Sequence, residues 1–380
     1  MSSIKILHTA DWHVGRTIRG RSRVEEHRAV LAEIAGVAAD HAVDVVLVAG
    51  DVFDVAAPAA EAEQVVYRAL LDLAEVAPVV VVAGNHDSPR RLAAVAPLLE
   101  LGRVRVAGRI QRPDQGGVIS DLGVPVRIAL LPWQSQRGIV SASDLMFKDA
   151  VDQVQDYAGR MRRVIEAMTG GLTTDTVNIA LSHVMVYGAD TSGSERHAHI
   201  FGYAIPAGTF PGSLSYVALG HLHRRQQVPA PAPVWYSGSP LQLDFGEAGD
   251  DKGVLVVEAS PGLPAVITPV SLASGRPLVR LVGTLEQVEA AAAAVRQDAY
   301  VKVELDEPGR VGLADRVREI IPGTVDVVLA RRDEQAETRA AARIGRNPSD
   351  LFAEYLAERN IDDGSLVALF GQLLEEAHET

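Results

Sequence analysis

Cysteine is absent from the 380 residues. That absence excludes disulfides, zinc ribbons, iron–sulfur clusters and thiolate catalysis together, so any metal has to be held by nitrogen and oxygen. Long hydrophobic runs are missing too: none approaches the roughly eighteen apolar residues that a membrane span needs. The N-terminus, "MSSIKILHTADWH", enters a strand pattern without a charged leader and cleavage site. A soluble, cytoplasmic protein with no membrane partner is expected. No G-x-x-x-x-G-K-[ST] loop is present, so the commonest phosphate-cradling motif is excluded. Lysine is scarce, 4 against 32 arginines, which together with the many alanines reflects base composition rather than function. Positive charge is also short overall, the formal net charge being -13. Such a surface repels a polyanion unless basic groups are gathered in one place, so local patches matter more than the total.

What is present is a chain with 47% hydrophobic residues, longer than one usual domain. Short, continuously apolar runs recur: "IKIL", "DVVLVAG", "VVVVAG", "VRIALL", "VNIALS" and "YVALG". Runs of this kind suit strands buried on both faces. Helical patterns lie between them, at 24–39, 60–73 and 149–168, and the alternation predicts α/β layers. After "KGVLVVE" the Pro- and Gly-bearing stretch 260–277 marks a boundary, giving a first domain over 1–275. A small α/β unit over 276–330 reads strand, helix, strand, helix, strand, with Thr284 and Gln287 forming a capping box. Residues 331–348, charged and nearly without large apolar side chains, have linker composition. The tail over 349–380 turns amphipathic, with Leu351, Phe352, Tyr355 and Leu356 in one helix and Leu366, Leu369, Phe370, Leu373 and Leu374 in the next.

Five of the apolar runs end in metal-ligating side chains. "ILHTADWH" delivers Asp11 and His13, "VAGDVFD" Asp51 and Asp54, "VAGNHD" Asn85, His86 and Asp87, "ALSH" His183, and "ALGHLH" His221 and His223. The C-terminal ends of strands in layered α/β folds converge on one edge, so segments far apart in sequence can meet in one pocket. Carboxylate, amide oxygen and imidazole together suit Mn, Fe, Zn or Ni better than an all-oxygen Mg or Ca site. About seven ligands are too many for one tetrahedral ion and enough for two that share a carboxylate, a centre suited to phosphate-ester hydrolysis. Each motif taken alone is ordinary turn chemistry. It is their joint occurrence that carries the reading.

In that order, Asp11-x-His13, Gly50-Asp51, Gly84-Asn85-His86-Asp87, His183 and Gly220-His221-x-His223 resemble the calcineurin-like metallophosphoesterase superfamily. The longer stretches "LHTADWHVGR", "SGSPLQLDFGE" and "KGVLVVE" are similar to its DNA nucleases that work with an SMC-type ATPase. The resemblance implies a two-sheet sandwich flanked by helices, a small α/β cap that contacts DNA, and a helical tail that binds the partner. It implies a first ion on Asp11, His13, Asp51 and His223 and a second on Asp51, Asn85, His183 and His221, with Mn as the metal and a hydroxide between the ions attacking phosphorus. His86 would contact the scissile phosphate and assist the leaving alcohol, and Asp87 would orient His86. The implied activity is 3′ to 5′ exonuclease on duplex ends and endonuclease on hairpins and single strands, by a homodimer. Many archaeal and eukaryotic relatives carry His where this chain has Asp54, which leaves Asp54 between an orienting role and a turn.

Arg16, Arg19 and Arg21, with Arg90 and Arg91 after the "GNHD" motif, are either a solvated face or a surface for the phosphate backbone; their nearness to the ligands favours the second. His197 and His199 read as a surface loop near the site mouth rather than as ligands. The tail stripe of Leu351, Phe352, Tyr355, Leu366, Leu369, Phe370 and Leu373 either folds back on its own chain or docks on the ATPase as helices in a groove. The pattern at 24–39 is the expected place for two copies to meet.

Overall fold

The computed structural model describes residues 3–135, 138–139, 157–191, 203–329, 348–358 and 363–379. Its sheets use, in chain order, β1 (Ile4–Thr9), β2 (Val45–Val48), β3 (Val79–Val82), β4 (Val104–Ala107), β5 (Val118–Ile119) and β6 (Val126–Leu131). There follow β7 (Val177–His183), β8 (Tyr216–Gly220), β9 (Gln226–Val228), β10 (Val234–Tyr236), β11 (Gly253–Ala259) and β12 (Val266–Ser271). They form two six-stranded sheets, ordered β12-β11-β1-β2-β3-β4 and β9-β10-β8-β7-β6-β5. The strands that lead to the ligands run parallel, β1 with β2 and β2 with β3 in one sheet, β7 with β8 in the other. Their C-terminal ends therefore open on a common edge.

The apolar runs are continuous because each sheet is covered twice. Between the sheets Ile6, Leu47, Val80, Ile128, Ile179, Leu181 and Leu255 are completely buried. Fully burying one such side chain is worth roughly 1.5–3 kcal/mol, so this seam is a main source of stability. On the outer face of the first sheet pack α1 (Val24–Asp40), α2 (Ala60–Val76) and α3 (Pro89–Leu101), with Leu31, Ile34, Leu70, Leu73 and Leu92 turned inward. α4 (Tyr157–Thr169) covers the second sheet through Met161, Val164 and Ile165. The stretch 260–277, read as a domain boundary, carries β12. Pro269 interrupts its pattern and is tolerated because β12 is an edge strand.

Two histidines outside the ligand set are buried in this framework. His8 Nδ1 lies 2.8 Å from the Tyr216 hydroxyl, and His27 Nδ1 donates to the Arg23 carbonyl at 2.9 Å. Burial lowers His8 to about 3, and burial together with the Arg23 guanidinium lowers His27 to about 4. Both stay neutral in the folded chain while the unfolded chain takes up protons below the ordinary histidine value. Stability is thus complete above about pH 6.5 and is lost as pH falls towards 4, by up to about 1.4 kcal/mol per pH unit for each group. Urea midpoints followed across this range in EDTA should fall less steeply in His27→Gln than in the parent; parallel curves would remove His27 from the account.

The small unit is a three-stranded parallel sheet, β13 (Leu278–Gly283), β14 (Tyr300–Leu305) and β15 (Thr324–Leu329), in that order. α5 (Leu285–Ala292), opened by the Thr284–Gln287 capping box, and α6 (Leu313–Ile320) enclose its core of Val288, Val301, Val303, Leu313 and Val317. It is joined to the sandwich by an apolar cluster of Ile18, Phe245, Leu278 and Tyr300. Around that cluster Arg23 is buried and paired with Glu26, and the Arg276 guanidinium lies 3.8 Å from the Tyr300 ring centre. α7 (Pro348–Glu358) and α8 (Gly364–Glu379) pack on each other, the Phe352 and Phe370 rings stacking at 4.3 Å. Most of the 331–348 stretch, with His197 and His199, lies outside the described residues. No helix among the described residues is long and apolar enough to cross a membrane.

Candidate metal centre

All seven residues proposed as ligands sit at strand ends on the common edge. Asp11 and His13 follow β1, Asp51 follows β2, Asn85 follows β3, His183 closes β7, and His221 and His223 follow β8. The loops interlock through the main chain: Asp11 N donates to the Gly50 carbonyl at 2.9 Å and His13 N to the Asp51 carbonyl at 3.0 Å. Four of the seven have left-handed backbone, Asp11 (φ 53°), His13 (φ 46°), Asp51 (φ 51°) and His221 (φ 109°). Side-chain-bearing residues pay of order 1–3 kcal/mol for such a conformation, and they hold it where the surrounding structure forces a side chain into a site.

In three groups, oxygen or nitrogen atoms lie within 4.8 Å of one another: those of His13, Asp54 and His86, those of Asp11, His13 and His223, and those of Asp11, Asp51 and His183. The last two share Asp11. Asp51 Oδ2 stands between them, 3.6 Å from His13 Nε2 and 3.5 Å from His183 Nε2. Although burial opposes it, the neighbouring His183, His86 and His13 and the His86 main-chain N–H hold the Asp51 carboxyl below the usual carboxylate range. Asn85 Oδ1 lies 2.9 Å from His183 Nε2 and 3.0 Å from His221 Nδ1. Burial keeps His13, at about 4, and His183 and His221 from protonating, so they remain available as lone-pair donors.

A divalent cation fits this donor set. His183 Nδ1 donates to the Ala49 carbonyl at 2.8 Å, which leaves Nε2 as a lone pair facing Asn85 and Asp51. Both ring nitrogens of His13 and Nε2 of His221 are buried and make no hydrogen bond. Buried polar atoms left in this state are costly unless a positive ion takes them up.

Each ring is held from behind by a different device. The Ala49 carbonyl fixes His183, and Glu247 Oε1 lies 2.9 Å from His223 Nδ1. His221 stacks on the Trp133 indole at 5.4 Å with an interplanar angle of 22°. His86 Nδ1 donates to the Asp54 carbonyl at 2.7 Å. This last contact corrects the expectation for Asp87. Its carboxylate instead accepts from the backbone of Gly84 (2.8 Å), Phe53 (3.1 Å) and Val52 (3.4 Å), tying the β2 loop to the β3 loop. Burial, and after it the neighbouring Asp51 charge, raise its pKa to about 7. Asp54 does more than turn the chain: its carboxylate is 3.4 Å from His13 Nδ1 and 3.3 Å from Arg16 Nη1.

Trp133 and Glu247 escaped the sequence reading, because neither belongs to a ligand pattern. Position alone could have suggested Trp133, which follows an apolar strand on the same edge.

The arginines are unevenly placed. Arg16 is paired with Asp54, Arg91 with Glu63 at 2.7 Å, and Arg19 with Asp326 of β15 at 2.7 Å. Arg21 and Arg90 are exposed and form no ion pair among the described residues. In the tail, Phe352 and Phe370 are spent on each other, Leu351 is half-buried, and Tyr355, Leu366, Leu369 and Leu373 stay exposed.

A cluster of imidazoles and carboxylates at the shared edge of two facing sheets defines a divalent-metal site, of the kind found in metal-dependent phosphodiester hydrolases. A family model described as calcineurin-like phosphoesterase matches residues 4–225, and one described as the type 5 capsule protein repressor C-terminal domain matches residues 274–360. The chain is 33% identical to the SbcD subunit of the nuclease SbcCD from Bacillus subtilis (strain 168), over 99% of both chains. It is 36% identical to the same subunit from Rhodobacter capsulatus, over 73% of this chain and 71% of the other. With that of Escherichia coli K12 it shares 30% identity, over 94% and 92%. The chain therefore belongs to the calcineurin-like phosphoesterases, in the branch formed by the SbcD subunits of SbcCD nucleases.

Proposed function

We propose that this chain is the nuclease subunit of an SbcCD-like complex and hydrolyses DNA phosphodiesters at a centre for two divalent ions, with Mn as the working metal. The observation that carries the reading is the convergence of five strand ends on a buried set of donors with Asp51 Oδ2 central between two groups. Asp11, His13, Asp51 and His223 would hold one ion, and Asp51, Asn85, His183 and His221 the other. When bound, the ions supply charge to polarise the phosphoryl oxygens and acidify a water. The chain's own contribution is orientation and proton transfer. With Nδ1 committed to the Asp54 carbonyl, His86 has only Nε2 with which to deliver a proton to the departing 3′ or 5′ oxygen. Asp87 acts by fixing the loops that carry Asp51 and His86.

The polarity of attack is 3′ to 5′ on duplex ends, with endonuclease action on hairpins and single strands. Residues 1–275 form the nuclease domain and 276–330 a cap over the DNA. Arg21 and Arg90 are the most available phosphate contacts, with Arg16, Arg19 and Arg91 engaging when their acidic partners yield. Two copies meet through α3 rather than α1. α3 exposes Leu98 (70%) and Leu101 (85%), while α1 is packed on α2 and exposes no large apolar side chain. Residues 331–348 link to a tail, 349–380, that docks on SbcC, the ATPase of the complex, through Tyr355, Leu366, Leu369 and Leu373.

The test is degradation of an end-labelled duplex and a hairpin with Mn and with Mg, alone and with SbcC plus ATP, beside a small chromogenic phosphodiester. Mn-dependent DNA cleavage enhanced by the partner is expected; turnover of the small ester alone, with DNA inert throughout, would overturn the nuclease reading. Deleting residues 349–380 should leave hydrolysis of the small ester within about twofold and abolish pull-down of SbcC, since the tail makes up a separate helical hairpin. Retained pull-down would place the interface elsewhere.

A further inference from the structure

Among the described residues Glu247 is the most deeply placed carboxylate outside the ligand set, with no exposed surface. It sits on a single 3-10 turn, Phe245–Glu247, closed by Asp244, whose side chain accepts from Gly246 N at 3.1 Å. One oxygen faces His223 Nδ1 at 2.9 Å. The other accepts from Leu243 N at 3.0 Å and lies 2.6 Å from Lys252 Nζ. Lys252, one of four lysines in the chain and itself buried, also donates to the His223 carbonyl at 2.9 Å and to Ser239 Oγ at 3.1 Å. The pair thus grips His223 at both its ring and its backbone. A buried carboxylate and ammonium are held together at real desolvation cost, and breaking one side is strongly destabilising. A pair of that kind persists here against a ligand of the centre, His223.

We infer that Glu247, held by Lys252, is a positioning residue that fixes His223 with Nε2 toward the metal and makes the two metal positions unequal. The ion on Asp11, His13, Asp51 and His223 is backed by this buried anion. The ion on Asp51, Asn85, His183 and His221 shares Asp51 with the first, and its two histidines lean on the neutral Ala49 carbonyl and the Trp133 ring. The first is therefore the tighter of the two. This inference rests on the two-ion reading above.

The experiment is Mn titration of the metal-stripped full chain by calorimetry, with far-UV circular dichroism confirming the fold. The parent should bind two ions with distinct affinities. Glu247→Gln, which keeps the shape and removes the charge, should weaken the tighter ion by roughly 10–100-fold and leave the other within about threefold, the usual cost of removing such a support. Added to His223→Ala, the same substitution should produce no further loss, because Glu247 acts through that ring. Lys252→Met should weaken the same ion, and it carries the test if Glu247→Gln does not fold. Unchanged affinities in a folded variant, equal loss at both positions, or additivity with His223→Ala would each overturn the inference. A parent that binds one ion would instead sink the two-ion reading, and the effect of Glu247→Gln on that single ion would still decide whether Glu247 supports it.

Discussion

His86→Asn is expected to lower the rate of DNA cleavage by about 10²–10⁴-fold, the range lost with a general acid, while Mn stoichiometry and affinity stay at the parent's values. The separation of the two effects follows from how the residue is attached. The His86 main-chain N–H, not its ring, donates to Asp51 Oδ1 at 2.8 Å, so the shared carboxylate keeps that support after the substitution. The ring leans on the Asp54 carbonyl and meets His13 edge-on at 4.7 Å between centroids, beside the donor set. Single-turnover cleavage and a metal titration on one preparation provide the check. Loss of an ion in the variant would mean that the ring belongs among the ligands.

Gly84→Ala should be as damaging to activity by the opposite route. A Cβ at Gly84 would stand 2.1 Å from Asp51 Oδ1 and 2.4 Å from Asp51 N. Neither atom can withdraw: the carboxylate is central to the site, and the backbone at Asp51 is already left-handed and bonded to the β1 loop. The alanine should therefore expel Asp51 from its position, abolish binding of both ions and, as overpacking usually does, cost about 1–3 kcal/mol of stability. Calorimetry would show no Mn uptake and thermal melting a lowered midpoint. A variant that binds two ions normally would mean that the β2 and β3 loops can part without harm.

The sandwich and its ligands were legible because the same feature produces both. A strand buried on two faces is written as an uninterrupted apolar run, and the polar residue that ends it, Asp11, Asp51, Asn85, His183 or His221, has to lie at the sheet edge. What was not legible lacked one of those marks. β4 alternates Val104 and Arg105 on a half-covered edge and so has no continuous apolar run, and β12 contains Pro269 within the stretch taken as a boundary. α3 did announce itself, with Ser88 accepting from Arg91 N and Pro89 at the first helical position, but Pro97 within it masks the periodicity. The roles of Asp87 and Asp54 depend on which backbone groups come to meet them across the interlocked loops, and spacing along the chain says nothing of that. Glu247 and Lys252 were visible only as parts of longer stretches without a chemistry of their own.

β1 lies in its sheet between β2 and β11, and its pairing with β11 runs from Ile4 opposite Ala259 to His8 opposite Leu255. During synthesis one side of β1 can be satisfied early, by the segment that follows it. The other must wait until about 250 further residues have left the ribosome, by which time every metal-ligating residue has also emerged. Until then a strand apolar on both faces has an open edge, the state in which nascent chains aggregate or recruit chaperones. The same order means that a chain terminated before β11 carries every proposed ligand yet lacks the antiparallel partner of the strand that leads to Asp11 and His13.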